Sequence, residues 1–202
     1  MRLLLGVLRL GGGLPTPLAL GPGEQARLDA TRDPRRAAQY LGGRWLLRRL
    51  ASEWSGSPFA DIRLNAGGAP VASLEPGPAP AVPGVPSAGR MPHLSLTHSG
   101  DWVAATACAS AAGVDLEVLG RARDWPALAR HLRVAEGSEA AVLKAWTLKE
   151  ARFKAQEAGG LVTWRLAGRG WVGCVAAPPA CRPEALLFGG ADAGPLGLHM
   201  EN

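Results

Sequence analysis

Residues 113–118 of the chain read Gly-Val-Asp-Leu-Glu-Val. The alternation of apolar and acidic side chains predicts a half-buried strand, with the valines and the leucine facing a core. Asp115 and Glu117 lie two residues apart, so both carboxylates project from the other face of this strand. Two carboxylates on one face repel each other unless a cation lies between them, and Mg²⁺ binds a few carboxylates together with water and phosphate oxygens. The segment therefore indicates either a magnesium site or a solvent-exposed acidic edge.

A second charged segment follows at residues 144–154, which read Lys-Ala-Trp-Thr-Leu-Lys-Glu-Ala-Arg-Phe-Lys. Helical spacing places Glu150 and Lys154 on one face, with Lys149 at the edge of that face. All three lysines of the chain lie in this segment, whereas the other 19 of its 22 lysine and arginine residues are arginine. Lysine binds phosphate oxygens as a compact point charge, and carboxylates bind metal ions. The two segments together favour a metal–phosphate site, and a surface Glu–Lys pair is the alternative.

The remaining sequence predicts further strands and helices around these segments. Strands are expected at the start of the chain and at 61–64, 93–99, 102–109 and 171–177. Helices are expected over 24–51 with a break at Asp33-Pro34, after the N-cap Asp124, and from the N-cap Ser138 to about Ala158, the last being the longest. The proline-rich stretch 76–92 is expected to be a loop, and the residues after Pro178 carry no regular pattern.

This order of elements predicts an α+β fold with two similar-sized α+β subdomains. The first covers residues 1–103 and includes the loop 76–92, and the second covers residues 104–202. The two charged segments both belong to the second subdomain. The subdomains are expected to meet near residues 93–113.

The composition is globular and basic. The chain has 202 residues, of which 47% are hydrophobic, and a net charge of +5. Its apolar runs are shorter than the roughly 20 residues of a membrane helix. Met1–Leu8 imitates a signal peptide, but Arg9 and the glycines that follow interrupt it, so we expect an N-terminal strand and a cytoplasmic protein. The positive charge favours an anionic partner without distinguishing a nucleotide, a nucleic acid or an acidic protein.

The three cysteines, Cys108, Cys174 and Cys181, lack the paired spacing of a zinc site. Cys108 and Cys174 lie in apolar stretches and are expected to be small core residues. This odd, unpaired set of cysteines predicts a reducing compartment.

The two charged segments also suggest a family. Gly113–Glu117 followed by Trp146–Lys154 resembles the paired signature of the 4′-phosphopantetheinyl transferase superfamily, Sfp type. Leu94–Trp102, which reads Leu-Ser-Leu-Thr-His-Ser-Gly-Asp-Trp, resembles the Ser-His-Ser strand of that family, and Asp33–Leu50 is similar to its N-terminal helix near the coenzyme. These segments occur in the order of the family and cover about half of the chain.

The resemblance implies a pseudo-dimer of two α+β halves with coenzyme A in the cleft between them. It implies a magnesium-dependent reaction in which the phosphopantetheine arm of coenzyme A moves to a serine of an apo carrier protein and adenosine 3′,5′-bisphosphate is released. Acyl, peptidyl and polyketide carriers are equally compatible with it. We expect a monomer, because one chain would contain both halves, and no nucleic-acid or membrane partner.

By the same resemblance, Asp115 and Glu150 would hold Mg²⁺, and Glu117 would be a third ligand, bound directly or through water. Lys154 would neutralise phosphate oxygens, and Lys149 would help to position the pyrophosphate. The base for the carrier serine would be Glu150 or a water on the metal.

For the nucleotide, the resemblance implies His98 as a phosphate contact, with Thr97 beside it as a hydrogen-bond donor. Arg36 is the candidate for the 3′-phosphate, and Arg32, Arg35 and Arg44 are alternatives because arginines are frequent in that segment.

The chain departs from the family at one turn. Many members have a lysine where residues 68–70 read Gly-Ala-Pro, so Ala69 supplies no charge. An arginine such as Arg90 would have to compensate, or the affinity for the coenzyme would be lower.

Two other classes of function are compatible with parts of the sequence. The first is a non-catalytic, regulatory protein that binds coenzyme A or a nucleotide, but the presence of all three acids argues against it. The second is a nucleic-acid-binding module that uses the arginines of residues 27–49. These arginines alternate with apolar residues at helical spacing, which is more typical of a packed helix, and no nucleic-acid motif accompanies them.

Overall fold

A computed structural model describes residues 1–64, 70–71, 92–135, 138–156, 160–188 and 197–201. Within these ranges the chain forms ten strands and four α-helices, so the predicted α+β class is confirmed. The strands are β1 (Arg2–Arg9), β2 (Arg63–Leu64), β3 (Pro70–Val71), β4 (His93–Ser99), β5 (Trp102–Cys108), β6 (Gly113–Val118), β7 (Val162–Gly168), β8 (Trp171–Ala177), β9 (Arg182–Phe188) and β10 (Gly197–Glu201). The helices are α1 (Pro22–Asp29), α2 (Pro34–Ser55), α3 (Trp125–Leu132) and α4 (Glu139–Lys154).

Two four-stranded sheets form the framework. The first has the order β4-β5-β1-β9, with β1 antiparallel to β5 and parallel to β9. The second has the order β10-β7-β8-β6 and is antiparallel throughout. Helix α2 packs on the first sheet, and α4 packs on β6 and β8 of the second. The edge strands β4 and β6 lie next to each other, which brings the two sheets into contact.

Strand β1 explains why the chain starts with an uninterrupted apolar run. Leu3, Leu5 and Val7 belong to the core shared with the second sheet, whereas Leu4 and Leu8 pack with the residues of α2. A strand covered on both faces has no polar face, so it reads as a continuous hydrophobic segment. The expected N-terminal strand is confirmed.

Several local predictions are confirmed, because capping side chains and strand alternation are local signals. Asp33 caps α2 through the amides of Arg35 and Arg36, which produces the predicted break before Pro34. Asp124 and Ser138 cap α3 and α4 as expected. Strands β4, β6 and β8 have the predicted bounds.

Other predictions are wrong. The longest helix is α2 with 22 residues, not α4, which has 16 and ends at Lys154. Strands β7, β9 and β10 were not predicted, and β9 and β10 lie in the tail after Pro178, where the sequence shows no regular pattern. Residues 76–91 of the expected loop lie outside the described residues.

The expected boundary between residues 103 and 104 falls inside β5, which belongs to the first sheet. Strand β9 also returns to that sheet after β6, β7 and β8 of the second sheet, and β10 then returns to the second sheet. The two sheets therefore interlock along the chain, whereas their division into two similar halves stays a prediction.

The arginine-rich helix α2 is a packed element. Arg44 and Arg48 are 5% and 3% exposed and form ion pairs with Glu24 of α1, which is also buried. These two arginines neutralise a buried carboxylate, so they are structural cations that hold α1 against α2.

Among the described helices, none has the combination of length and apolar character that a membrane-spanning segment requires.

The close packing of α4 on β6 depends on Gly113. A Cβ atom at this position would lie 1.9 Å from the carbonyl oxygen of Ala151 and 2.7 Å from the amide nitrogen of Ala155. Backbone atoms cannot move aside as a flexible side chain can. We therefore expect Gly113→Ala to lower the free energy of unfolding by about 3 kcal/mol or more, measured by urea denaturation.

The matched control is Gly23→Ala on α1, where a Cβ atom meets nothing within 4 Å. This change should alter the free energy of unfolding by less than about 1 kcal/mol. Equal stability of the two variants would contradict the described approach of α4 to β6.

Candidate functional site

Side-chain hydroxyl groups join the two sheets where β4 and β6 run side by side. The Ser95 Oγ accepts a hydrogen bond from the Val114 amide, and the Ser99 Oγ accepts one from the Val118 amide, both at 3.3 Å. Between them, the Thr97 Oγ1 donates to Asp115. We call this row of contacts the β4–β6 seam. It satisfies edge amides of β6 that would otherwise need another strand or water.

Asp115 is the central residue of the β4–β6 seam. Its Oδ1 accepts hydrogen bonds from the Thr97 hydroxyl at 2.9 Å and from the Lys154 ammonium at 2.8 Å. Its side chain is almost completely buried, and its Oδ2 has no hydrogen-bond partner among the described residues. Burial raises the pKa of Asp115 above its ordinary value, although Lys154 and Thr97 act to lower it. Thr97 and Lys154 thus bind the Oδ1 of this carboxylate, while its Oδ2 has no partner among the described residues.

Glu117 is satisfied differently. Its Oε2 accepts from the Ser99 hydroxyl at 2.7 Å and from the Arg123 guanidinium at 2.6 Å. Arg123 belongs to the loop between β6 and α3 and also lies over the ring of Trp125. Two donors on one oxygen fix the orientation of this carboxylate and neutralise it.

Helix α4 runs antiparallel to β6 and places its charged face along the strand. Glu139, at its start, accepts a hydrogen bond from the Gly120 amide, while Ala151, near its end, lies against Gly113. Lys154 reaches both the Val114 carbonyl oxygen and Asp115.

Glu150 precedes Lys154 by one helical turn and therefore faces the same side of α4. Its side chain is half-buried. Among the described residues, none forms a hydrogen bond or an ion pair with its carboxylate. Glu150 is thus an acid on the same face of α4 as Lys154 that no described group neutralises.

Lys149 points in another direction. Its ammonium lies 2.8 Å from the His131 Nε2 of α3 and 5.9 Å from the centre of the Trp146 ring. The structure therefore brings Lys154, but not Lys149, onto Asp115.

His98 and Arg36 are exposed residues at one end of the first sheet. His98 alternates with Thr97 and Ser99, so it lies on the opposite side of β4, the side on which Leu96 packs against Gly43 of α2. Arg36 is seven residues before Gly43 and shares its helical face.

The alternatives to Arg36 differ in their contacts. Arg35 forms an ion pair with Asp101, and Arg44 is buried against Glu24. Arg32 is exposed. Residues Ala69 and Arg90 lie outside the described residues, so the missing lysine and its expected substitute stay predictions.

The donor set fits a magnesium ion in part. The Asp115 Oδ2 and the Glu150 carboxylate are hard oxygen ligands without partners, which suits Mg²⁺. In the part of the chain that the structure describes, no group of three or more His, Cys, Asp or Glu side chains is arranged to hold a metal ion. An ion at this position would take its other ligands from phosphate oxygens and water, as Mg²⁺ commonly does.

The comparisons with known proteins add no assignment. No model of a protein family matches the chain, and no curated protein matches it.

Three contacts of the β4–β6 seam were not predicted from the sequence. They are made by the hydroxyl groups of Ser95 and Ser99 and by the guanidinium of Arg123. The alternation of hydroxyl side chains at residues 95, 97 and 99 is a signal that could have indicated a polar face. Arg123 carries no such signal, because a loop arginine has no periodic pattern.

The raised pKa of Asp115 predicts a pH dependence of stability. An acid whose pKa is raised by folding binds more protons in the native state, so the free energy of unfolding falls as the pH rises from about the ordinary pKa of 3.8 through the raised value. Wild type should therefore lose stability relative to Asp115→Asn over this window and keep a constant difference above it. Urea denaturation of both proteins between pH 3.5 and pH 8, in EDTA, measures the difference. A wild type that gains stability relative to the variant as the pH rises would show that Lys154 and Thr97 outweigh burial.

Proposed function

We propose that this protein transfers the 4′-phosphopantetheine arm of coenzyme A to a serine of an apo carrier protein in a magnesium-dependent reaction. One observation supports the proposal most directly: three of the four segments that resemble the transferase family meet at a single carboxylate. Thr97 from the β4 segment and Lys154 from the α4 segment both bind Asp115 of the β6 segment. These contacts join residues 18 and 39 positions apart in the sequence.

The arrangement of charges supports phosphoryl transfer. Phosphoryl transfer needs positioning of the reactants and neutralisation of phosphate charge more than covalent participation by the protein. Lys154 is anchored by the Val114 carbonyl oxygen and Asp115 and is partly exposed, so its ammonium can also reach a phosphate oxygen at the surface. Thr97 keeps Asp115 in place by donating to the same Oδ1, so that the buried Oδ2 has no hydrogen-bond partner among the described residues.

Glu150 is the proposed base. The carrier serine oxygen attacks the phosphorus that bears the pantetheine arm, the bond from this phosphorus to the bridging oxygen breaks, and adenosine 3′,5′-bisphosphate leaves. The proton of the serine hydroxyl passes to the Glu150 carboxylate, which no described residue neutralises.

Magnesium held by Asp115 and Glu150 would neutralise the pyrophosphate during this step. Glu117, which is bound by Ser99 and Arg123, would contact the ion through water. Arg123 places a second cation, besides Lys154, at the β4–β6 seam, where it binds Glu117.

We propose that the nucleotide end of coenzyme A binds on the side of β4 that carries His98, opposite to Thr97 and Ser99. His98 and Arg36 are exposed there and would contact its phosphates. Arg44, whose guanidinium pairs with Glu24 in the core, is a weaker candidate for this contact than the sequence alone suggests. A net charge of +5 would favour encounter with an acidic carrier protein.

The proposal is tested by intact-mass spectrometry of apo acyl, peptidyl and polyketide carriers incubated with the protein, coenzyme A and Mg²⁺. We expect at least one carrier to gain the mass of one phosphopantetheine, and EDTA, Asp115→Ala and Glu150→Ala to abolish the gain. Coenzyme A binding without transfer to any carrier would instead support the non-catalytic binding protein. Unchanged transfer by Asp115→Ala would contradict the proposed metal site.

The two lysines of α4 provide a matched comparison. Lys154→Ala should lower kcat/KM by roughly 30- to 1,000-fold, corresponding to about 2–4 kcal/mol, because it removes the cation bound to Asp115. Lys149→Ala, which removes the lysine directed at His131, should cost less than about tenfold. Steady-state transfer assays at equal carrier concentration measure both ratios. A reversed order of the two variants would show that Lys149, and not Lys154, binds the phosphates.

A further inference from the structure

Two of the three cysteines meet in the core between the sheets. Cys108 ends β5 and Cys181 directly precedes β9, and their Sγ atoms lie 3.4 Å apart although the residues are 73 positions apart in sequence. Both side chains are fully buried, and both thiols are free. The sequence predicts Cys108 as a core residue but contains no signal for this pairing.

The sheet register produces the contact. Strand β1 lies between β5 and β9, with Leu3 opposite Cys108 and Arg2 opposite Arg182. The two cysteines therefore approach each other around the first residues of β1. The Met1 ammonium donates to the Ala180 carbonyl oxygen, and the Arg182 amide donates to the Met1 carbonyl oxygen, so the chain around Cys181 is held to the N-terminus.

We propose that Cys108 and Cys181 form a redox-active pair that is converted to a disulfide by a small thiol oxidant. Two S–H bonds break and one S–S bond forms. The two protons and two electrons pass to the oxidant, and with the azo compound diamide the product is the corresponding hydrazine. Under reducing conditions the pair stays as two thiols.

The third cysteine lacks this geometry. Cys174 of β8 is also buried, but it belongs to a different apolar cluster, and its Sγ contacts the Val175 carbonyl oxygen. All three cysteines are buried, so burial does not distinguish them. Proximity of the sulfur atoms selects Cys108 and Cys181.

Because both thiols are buried, an oxidant can reach them only when the protein around them opens locally. Burial, together with the Cys108 sulfur, raises the pKa of the Cys181 thiol to about 12, so the reactive thiolate is rare in the closed state. Cys181 follows the exposed residues Pro179 and Ala180. Brief opening of this turn would admit a small oxidant without unfolding either sheet, and the reaction should be slow.

The cross-link would close a loop that contains β6, α3, α4, β7 and β8. Closing a loop of this length lowers the entropy of the unfolded chain. We therefore expect the oxidised protein to melt roughly 10 °C higher than the reduced protein.

The test is treatment of the folded 202-residue protein with diamide, followed by intact-mass spectrometry and peptide mapping without reductant. The expected product is lighter by two hydrogen atoms, contains a Cys108–Cys181 linkage and keeps Cys174 as a reduced thiol. Dithiothreitol should restore the starting mass. Three free thiols after prolonged treatment, or a linkage that involves Cys174, would overturn the proposal.

Alanine variants supply the controls. Cys108→Ala and Cys181→Ala should each abolish both the loss of two hydrogens and the rise in melting temperature, whereas Cys174→Ala should retain both. The wild-type peptide map identifies the linkage even where a variant fails to fold. A cross-linked wild type whose melting temperature does not rise would also overturn the proposal, since the disulfide would then strain the fold.

Discussion

A carboxylate that is 5% exposed can remain in a folded protein only if hydrogen-bond donors or a cation compensate for the lost water. For Asp115 the donors come from two elements outside its own strand, Thr97 of β4 and Lys154 of α4. They satisfy one oxygen, and the other has no partner among the described residues. The positions of β4, β6 and α4 relative to one another are linked through this one group. Burial therefore makes Asp115 costly for stability and, at the same time, suited to bind a cation with its second oxygen.

The β4–β6 seam also provides hydrogen-bond partners for edge amides of the second sheet. Both strands are sheet edges, and among the described strands neither has a backbone partner on the side of the seam. Hydroxyl side chains of β4 bind amides and carboxylates of β6, so the two sheets join through polar contacts while Leu96 faces α2 and Val114 faces the core. The polar side of this junction is where the acidic residues and Lys154 meet. At this junction a cation and an acidic oxygen without a described partner occur together, which suits a ligand with a pyrophosphate group.

Local signals in the sequence predicted much of the fold. Alternation predicted β4 and β6, and the caps Asp33, Asp124 and Ser138 marked three helix starts. Strand β9 was missed because its pairing with β1 is a contact between the two ends of the chain, which no local pattern reports. For the candidate site, Asp115 and Lys154 were predicted to act together, and the structure places them in contact. The turn of Lys149 toward His131 depends on the packing of α3 on α4 and could not be read from helical spacing.

The most direct test of the account is a crystal structure of the protein with coenzyme A and Mn²⁺, which replaces Mg²⁺ and gives an anomalous signal. We expect an anomalous peak at coordination distance from the Asp115 Oδ2, in contact with the pyrophosphate, with the Lys154 ammonium on a phosphate oxygen. A pyrophosphate bound away from the β4–β6 seam, or a manganese ion without Asp115 among its ligands, would contradict it.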